Sequence, residues 1–271
     1  MARELRRLLI PPSRWPGVGE PGLLSLEAAE SHYLARVLRF RQGDRLAVVD
    51  GCGQLWSAVL ESGEQLRLEQ PPGAPLEQAL AASPALTLAL AVPRRDAELV
   101  WRMAAELGAA RLQPLIAARG VVREPLPLGC WSTIIREATE QCERLWLPEL
   151  APPLSASRCW SEARPGTRLL ATTRRADIPP LASWVQALWN NNPWEPVTLA
   201  VGPEGGWSEE EERQALGAGW QMVSLGDSIL RTSTAAVAGL ATLALLRPAD
   251  TASPLEGKEI AEKPAQLPPA P

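Results

Sequence analysis

Residues 202–211 read GPEGGWSEEE, and they pose a chemical puzzle. A glycine loop running into a helix usually offers its free backbone amides to a phosphate. Here Ser208, followed three residues later by Glu211, forms a capping-box pattern that uses those amides itself. Glu209 and Glu210 add negative charge at the same helix end. The anion site is thereby closed. Gly205 and Gly206 still allow positive φ and close approach of a ligand to the backbone, and Glu204 supplies a nearby carboxylate. Such a loop suits a neutral or cationic ligand read by main-chain hydrogen bonds. An adenine carrying a sulfonium fits; ATP or NAD does not. A plain capped strand-to-helix turn would show the same residues, so the stretch alone leaves both readings open.

A second stretch, LGDSILRTSTAAVAGLATLALL, carries Arg231 at the start of a long apolar helix expected from about Thr232. A cation there opposes the helix dipole by several tenths of a kcal/mol. A locally unfavourable choice is one mark of a functional site; an arginine paired with a nearby acid is the structural alternative. A third stretch, REATEQCERLWLPEL (136–150), spaces Arg136, Glu137, Glu140, Gln141 and Arg144 so that one helix face can present them, either to a ligand or to solvent. His32 is the only histidine, which excludes a histidine-based triad and a multi-histidine metal site. Cys52, Cys130, Cys142 and Cys159 are scattered and never spaced as CxxC, which fits reduced thiols rather than a zinc knuckle or disulfide scaffold. Cys142 reads as a small core residue rather than a nucleophile.

The elements that must position these loops are legible in outline. RELRRLLI reads as a strand, and SLEAAESHYLARVLR (25–39) as a helix with Ser25 as N-cap. RLAVVD, QLWSAVL and QLRLEQ then form three short strands separated by tight turns, the pattern of a small β-barrel. PPGAPLEQALAASP (71–84) reads as a linker. Beyond it strands and helices alternate: ALTLALAV (85–92), a helix over 96–109, RLQPLIA, a helix over 132–147 stopped by Pro148, then TRLLATT, PVTLAV and WQMVSL. This alternation predicts an α/β fold with a mostly parallel sheet covered on both faces. Ligands on such sheets sit beyond the carboxyl ends of the strands, which singles out the loops after the last three.

With 46% apolar residues the chain can build a sizeable core. The formal charge of −4 does not advertise a nucleic-acid binder, but its distribution is uneven. Arg3, Arg6, Arg7, Arg14, Arg36, Arg39, Arg41 and Arg45 crowd the first 45 residues, a local basic face that can grip a phosphate backbone. MARELRRLLIPP shows no signal-peptide pattern, and AAVAGLATLALL (235–246) is too short to span a bilayer.

In order along the chain, HYLARVLRFRQGD, AELGAARLQPL, EATEQCERLWLPEL, LAVGPEGGWSEEE and SLGDSILRTSTAA resemble the RsmE family. These are SPOUT-class methyltransferases that use S-adenosylmethionine to modify N3 of one uridine in small-subunit (16S) ribosomal RNA. The resemblance runs to about Arg247. It implies a PUA-like RNA-binding β-barrel over 1–75, a linker over 76–84, and a SPOUT parallel sheet with a C-terminal trefoil knot over 85–247, with 248–271 expected to be a disordered tail. It implies a cytoplasmic homodimer acting on the 30S subunit, with no membrane association and no metal. The S-adenosyl-L-methionine cofactor is expected on Thr172, Val201, Gly202, Gly205, Leu225, Gly226, Ile229 and Leu230. Arg231 is the expected catalytic residue: its guanidinium fork matches the two carbonyl oxygens of a deprotonated uracil imide. Glu204 or water is the candidate proton acceptor. Arg3, Arg6, Arg7, Arg36 and Arg39 are expected on RNA phosphates. Family members commonly carry proline and arginine where this chain has Asp227 and Ser228, and glutamate where it has Ser233. Methylation of another RNA nucleotide, or a catalytically inactive RNA-binding assembly factor, are the alternatives.

Overall fold

The computed structural model describes residues 5–15, 22–122, 125–173, 175 and 177–248; Arg3 and the expected tail beyond Pro248 lie outside them. The N-terminal part contains β1 (Arg7–Leu9), β2 (Leu23–Ser25), α1 (Ala28–His32), β3 (Arg45–Val49), β4 (Gln54–Ser62), β5 (Gln65–Leu68) and β6 (Glu77–Gln78). Its sheet runs β1-β3-β4-β5-β2, with β6 added to β4. The β1–β3 pair is parallel and the others are antiparallel. Strand alternation sends Leu8, Ile10, Leu46, Val48, Trp56 and Ala58 into one core with Leu24 and Leu34. It sends Leu9, Ala47, Val49 and Leu55 to the opposite face, where Leu145 covers them.

Two sequence expectations change here. Ser25 is not a helix cap; it ends β2, and α1 begins after Glu27, which forms a capping box with Glu30. Glu30 serves as the N3 residue, its carboxylate accepting the Glu27 amide at 2.8 Å. The helix then continues as a single π turn over Tyr33–Val37.

The second part alternates as expected: β7 (Leu86–Ala91), α2 (Ala97–Glu106), β8 (Arg111–Ile116), α3 (Leu128–Gln141), β9 (Glu149–Leu150), β10 (Leu154–Ser155), α4 (Ala156–Ser161), β11 (Thr167–Ala171), α5 (Leu181–Asn191), β12 (Val197–Val201), α6 (Glu209–Gly217), β13 (Gln221–Val223) and α7 (Thr232–Leu246). The sheet order is β10-β8-β7-β12-β11-β13, with β9 on β8, and every pairing is parallel. Its two faces differ in residue size. Leu86, Leu88, Leu90 and Leu199 meet α2, α3, α5 and α7 through Trp101, Ile135, Val185 and Leu240. Ala89, Ala91 and Ala200 leave room on the other face for a tryptophan cluster. There the Trp160 ring packs edge-on against Trp207 and Trp220 at 5.2 and 4.6 Å.

The helix expected over 132–147 is shorter and earlier. It spans 128–141, and Glu143 just beyond it turns left-handed at φ 61°. The following residues leave the helix because they have better partners elsewhere. Leu147 N donates to Gly51 O at 2.9 Å, Gly53 N to Leu145 O at 3.0 Å, and the Trp146 indole N–H to Ala79 O at 2.9 Å. Gly53, at φ 98°, has no room for a side chain: a Cβ would lie 2.4 Å from Ala79 O. Arg144 is therefore not on a helix face with Arg136 and Glu140. Its guanidinium donates to Ala105 O and Ala109 O and caps the end of α2.

Candidate functional site

Because β12, β11 and β13 are neighbours and parallel, their carboxyl-end loops converge on one edge of the sheet. They enclose a cavity of about 320 Å³. Thr172, Val201, Gly202, Gly205, Leu225, Gly226, Ile229 and Leu230 all line it, together with Glu204.

The loop after β12 is held from several sides. Ser208 Oγ accepts the Glu211 amide at 3.2 Å, and the Ser208 amide donates back to Glu211 Oε2 at 2.9 Å. Glu211 is buried, and its second oxygen accepts the Ala118 amide at 2.7 Å. The capping box closes this helix end to phosphate, as its sequence indicates. Arg119 Nη1 donates to Trp207 O at 3.0 Å and lies 3.4 Å from Gly205 O. The Trp207 indole donates to Ala171 O at 3.1 Å, joining this loop to β11. Thr232 Oγ1 donates to Gly202 O at 3.1 Å, joining it to α7.

The two central glycines have different reasons to be glycine. Only Gly206 has positive φ, at 69°. Gly205 corrects the sequence expectation: its conformation is ordinary, but a Cβ there would lie 3.1 Å from Arg119 Cβ. Gly226, at φ 123°, gives the β13 loop a conformation closed to other L residues.

The charged rim is mostly acidic. Glu204, Glu209 and Glu212 line the cavity against Arg119 and Arg175. Glu212 accepts from Thr172 Oγ1 at 3.1 Å and pairs with Arg175, fastening α6 to the loop after β11. One oxygen of Glu204 accepts the Arg94 amide at 3.0 Å, so that carboxylate is tied to the loop after β7. Arg231 occupies the N-cap position of α7, its carbonyl accepting the Ala235 amide at 2.8 Å; its side chain is exposed, outside the cavity lining, and without a hydrogen bond or ion pair to another described residue. An arginine satisfied by a local acid is thus not what the structure contains.

Sequence reasoning missed Arg119, Trp207, Glu212 and Thr232. Nothing in the local pattern of AARG distinguishes Arg119, which acts through a loop 86 residues away. Thr232 was visible only as the first residue of a helix.

The early arginines gather at the joint between the two sheets. Arg6, Arg7 and Arg39 line a cleft of about 840 Å³ with Glu140 and Glu143 from the end of α3. Arg36 is exposed beside it in sequence and does not line it. Arg7 pairs with Glu143 at 3.5 Å. Glu140 accepts the Leu9 amide at 2.7 Å, and burial pushes its carboxyl up to about 7. Among the described residues no group of three or more His, Cys, Asp or Glu side chains could hold a metal ion, and no helix is long and apolar enough to cross a membrane.

The model of an RNA methyltransferase domain matches residues 81–244, and that of an RNA methyltransferase PUA domain matches residues 26–69. The ribosomal RNA small subunit methyltransferase E of Synechocystis sp. is 38% identical over 226 residues, 81% of this chain and 72% of that protein. The chain belongs to the RsmE family. The RsmE protein of Mycobacterium bovis is 30% identical over 82% of this chain and 86% of its own length. Among solved structures, the RsmE protein of Neisseria gonorrhoeae bound to S-adenosyl methionine matches 90% of this chain and 98% of that chain, at 27% identity and TM-score 0.72. A Legionella pneumophila chain in complex with the cofactor SAM matches the same shares at 30% identity and TM-score 0.76.

RsmE membership also frames the departures. Asp227 is exposed and does not line the cavity, Ser228 lines it, and Ser233 is half-buried in the first turn of α7. None of them interrupts the contacts of Gly202, Trp207 or Thr232 that shape this RsmE cavity.

Proposed function

We propose that the protein transfers a methyl group from S-adenosylmethionine to N3 of a uridine in small-subunit ribosomal RNA. The observation that carries this reading is a cavity at three strand ends where the α6 terminus is closed by Ser208 and Glu211, the α7 terminus enters through Thr232, and three glutamates stand against two arginines. The capped α6 end and the three glutamates disfavour phosphate there and accommodate a cationic nucleoside. Gly205 lets Arg119 pack against the loop, and Gly206 beside it borders open space, so the backbone of this loop lies bare toward a ligand such as adenine. When bound, S-adenosylmethionine supplies an electrophilic methyl group on a positively charged sulfur. The residues that would hold it are Thr172, Val201, Gly202, Gly205, Leu225, Gly226, Ile229 and Leu230.

The substrate side rests on Arg231. Uracil N3 is nucleophilic only after its imide proton leaves, and the resulting anion spreads over two carbonyl oxygens. Arg231 is a permanent cation with a planar fork of donors, free at the start of α7 beside the cavity. It stabilises the anion and fixes the ring; it does not take the proton. Glu204 keeps one oxygen available beyond its Arg94 contact and is the candidate acceptor, with water the alternative. Positioning then supplies much of the rate.

The reading includes a trefoil knot, a homodimer, the assembled small subunit as substrate and a cytoplasmic location. The path of the chain supports the knot: after β13 at the sheet edge it returns past the Gly202 loop, and α7 packs over β7 and β12. The apolar character of α7, with Leu245 84% exposed, supports a second copy against it. Titration calorimetry tests the cofactor assignment. S-adenosylmethionine and S-adenosylhomocysteine should bind, and ATP and pyrophosphate should not. Binding of pyrophosphate in preference to either nucleoside would overturn it.

A further inference from the structure

The cleft at the joint of the two sheets is lined by arginines and Asp44 from the N-terminal part, by Glu140 at the end of α3 and by Glu143 just beyond it; Asp44 accepts the Arg41 amide at 2.7 Å. Its cations are not equivalent. Arg45 pairs with Glu69 on its own sheet. Arg6 and Arg39 are exposed and make no side-chain hydrogen bond or ion pair to another described residue. Arg7 is held by Glu143 twice, once through the carboxylate at 3.5 Å and once through the backbone carbonyl.

Two residues of this cleft are conformationally costly. Arg39 has φ 59° and Glu143 has φ 61°, left-handed values that neither residue type favours. Strain of this kind persists where the surroundings enforce it, and it concentrates at ligand clamps. Here both residues, a guanidinium and a carboxylate, line the same cleft. Glu143 therefore stands where an anionic ligand of Arg7 would stand.

We propose that this cleft seats a phosphodiester group of the RNA substrate, and that the Glu143 carboxylate holds Arg7 in the phosphate's stead until RNA displaces it. The pair keeps the Arg7 side chain oriented in the free protein, so less freedom is lost when phosphate arrives. It also sets a threshold, because a weakly charged ligand does not displace a carboxylate. Glu140 lines the same cleft with its carboxylate committed to the Leu9 amide at 2.7 Å, and it carries less negative charge near neutral pH than a solvated glutamate. Burial pushes its carboxyl up to about 7, against its bond from the Leu9 amide and the nearby Arg136, while Glu137 and Glu30 add to the rise.

The inference rests on the reading of the protein as an RNA methyltransferase, and the test separates the two. Binding of small ribosomal subunits lacking the modification is measured across a salt series for wild type, E143Q, R7A, R39A and the E143Q/R7A pair. Calorimetry with S-adenosylmethionine reports on each variant's fold. E143Q should tighten RNA binding by about two- to fivefold, the worth of one exposed ion pair. R7A and R39A should weaken it, each lowering the salt slope by about 0.7–0.9. In the R7A background E143Q should give no gain, since the arginine it would release is gone. A gain of full size in that background, or an unchanged slope for R39A, overturns the proposal. A wild type that methylates RNA while these variants bind like it overturns the cleft alone. A wild type that binds neither RNA nor cofactor overturns the functional reading and this one with it.

Discussion

The hydroxyl of Thr232, the first residue of α7, donates to the carbonyl oxygen of Gly202, the first residue after β12, at 3.1 Å. The bond joins the helix that carries Arg231 to the loop expected to hold the cofactor. Thr232→Val keeps the shape and leaves that carbonyl without its donor, a loss of about 1 kcal/mol or roughly fivefold in an equilibrium constant. The variant should bind S-adenosylmethionine about fivefold more weakly by calorimetry. Unchanged affinity would mean that the loop is held without this bond.

Gly226 tests the opposite loop. Its φ of 123° is closed to alanine, although a Cβ there would meet open space. Gly226→Ala should therefore reshape the loop rather than disturb the core. Cofactor affinity should fall by about tenfold or more while the melting temperature changes by only a few degrees. A variant that binds as wild type does would remove this loop from the pocket.

Arg231 separates binding from chemistry. Removing a single donor to a developing anion typically costs about 10²–10³ in kcat. Arg231→Ala should show that loss with cofactor affinity within about twofold of wild type. Arg231→Lys should not restore the rate, because an ammonium cannot span two carbonyl oxygens. Equal activity of the lysine variant would show that charge alone suffices.

Glu140 predicts a pH dependence of stability. Burial raises its carboxyl from 4.5 to about 7, so between these values the folded protein keeps a proton that the unfolded chain has released. Stability is then greatest below the lower value and falls as pH rises through the window, by on the order of 3 kcal/mol in total, levelling off above it. Glu140→Gln keeps an oxygen for the Leu9 amide and removes the charge. Urea melts at pH 5 and pH 8 should show the difference between wild type and variant growing at the higher pH, with the variant the more stable. A constant difference would place the titration elsewhere.

Much of the fold was legible because strand alternation and helix periodicity are local. β7, β11 and β12 emerge from short apolar runs, and the Ser208–Glu211 box is readable at a spacing of three. What was not legible depends on distant partners. α3 ends at Gln141 rather than continuing to Leu147, because residues 145–147 pair with the turn at Gly51 and Gly53, and no periodicity within 132–147 records that competition. Ser25 looks like a cap until β5 claims it as a strand residue. Arg119 was missed for the same reason: its role lies in a loop brought near by the sheet order. The pairing of Arg7 with Glu143 likewise joins residues 136 positions apart.

The central claim concerns which atom receives the methyl group, and one measurement addresses it directly. Small ribosomal subunits lacking the modification are incubated with the protein and isotope-labelled S-adenosylmethionine, and the RNA is digested to nucleosides for mass spectrometry. The label should appear in N3-methyluridine, and Arg231→Ala should slow its appearance by about 10²–10³. Label recovered in a ribose-methylated nucleoside, or no transfer to RNA by a protein that binds the cofactor, would contradict the account.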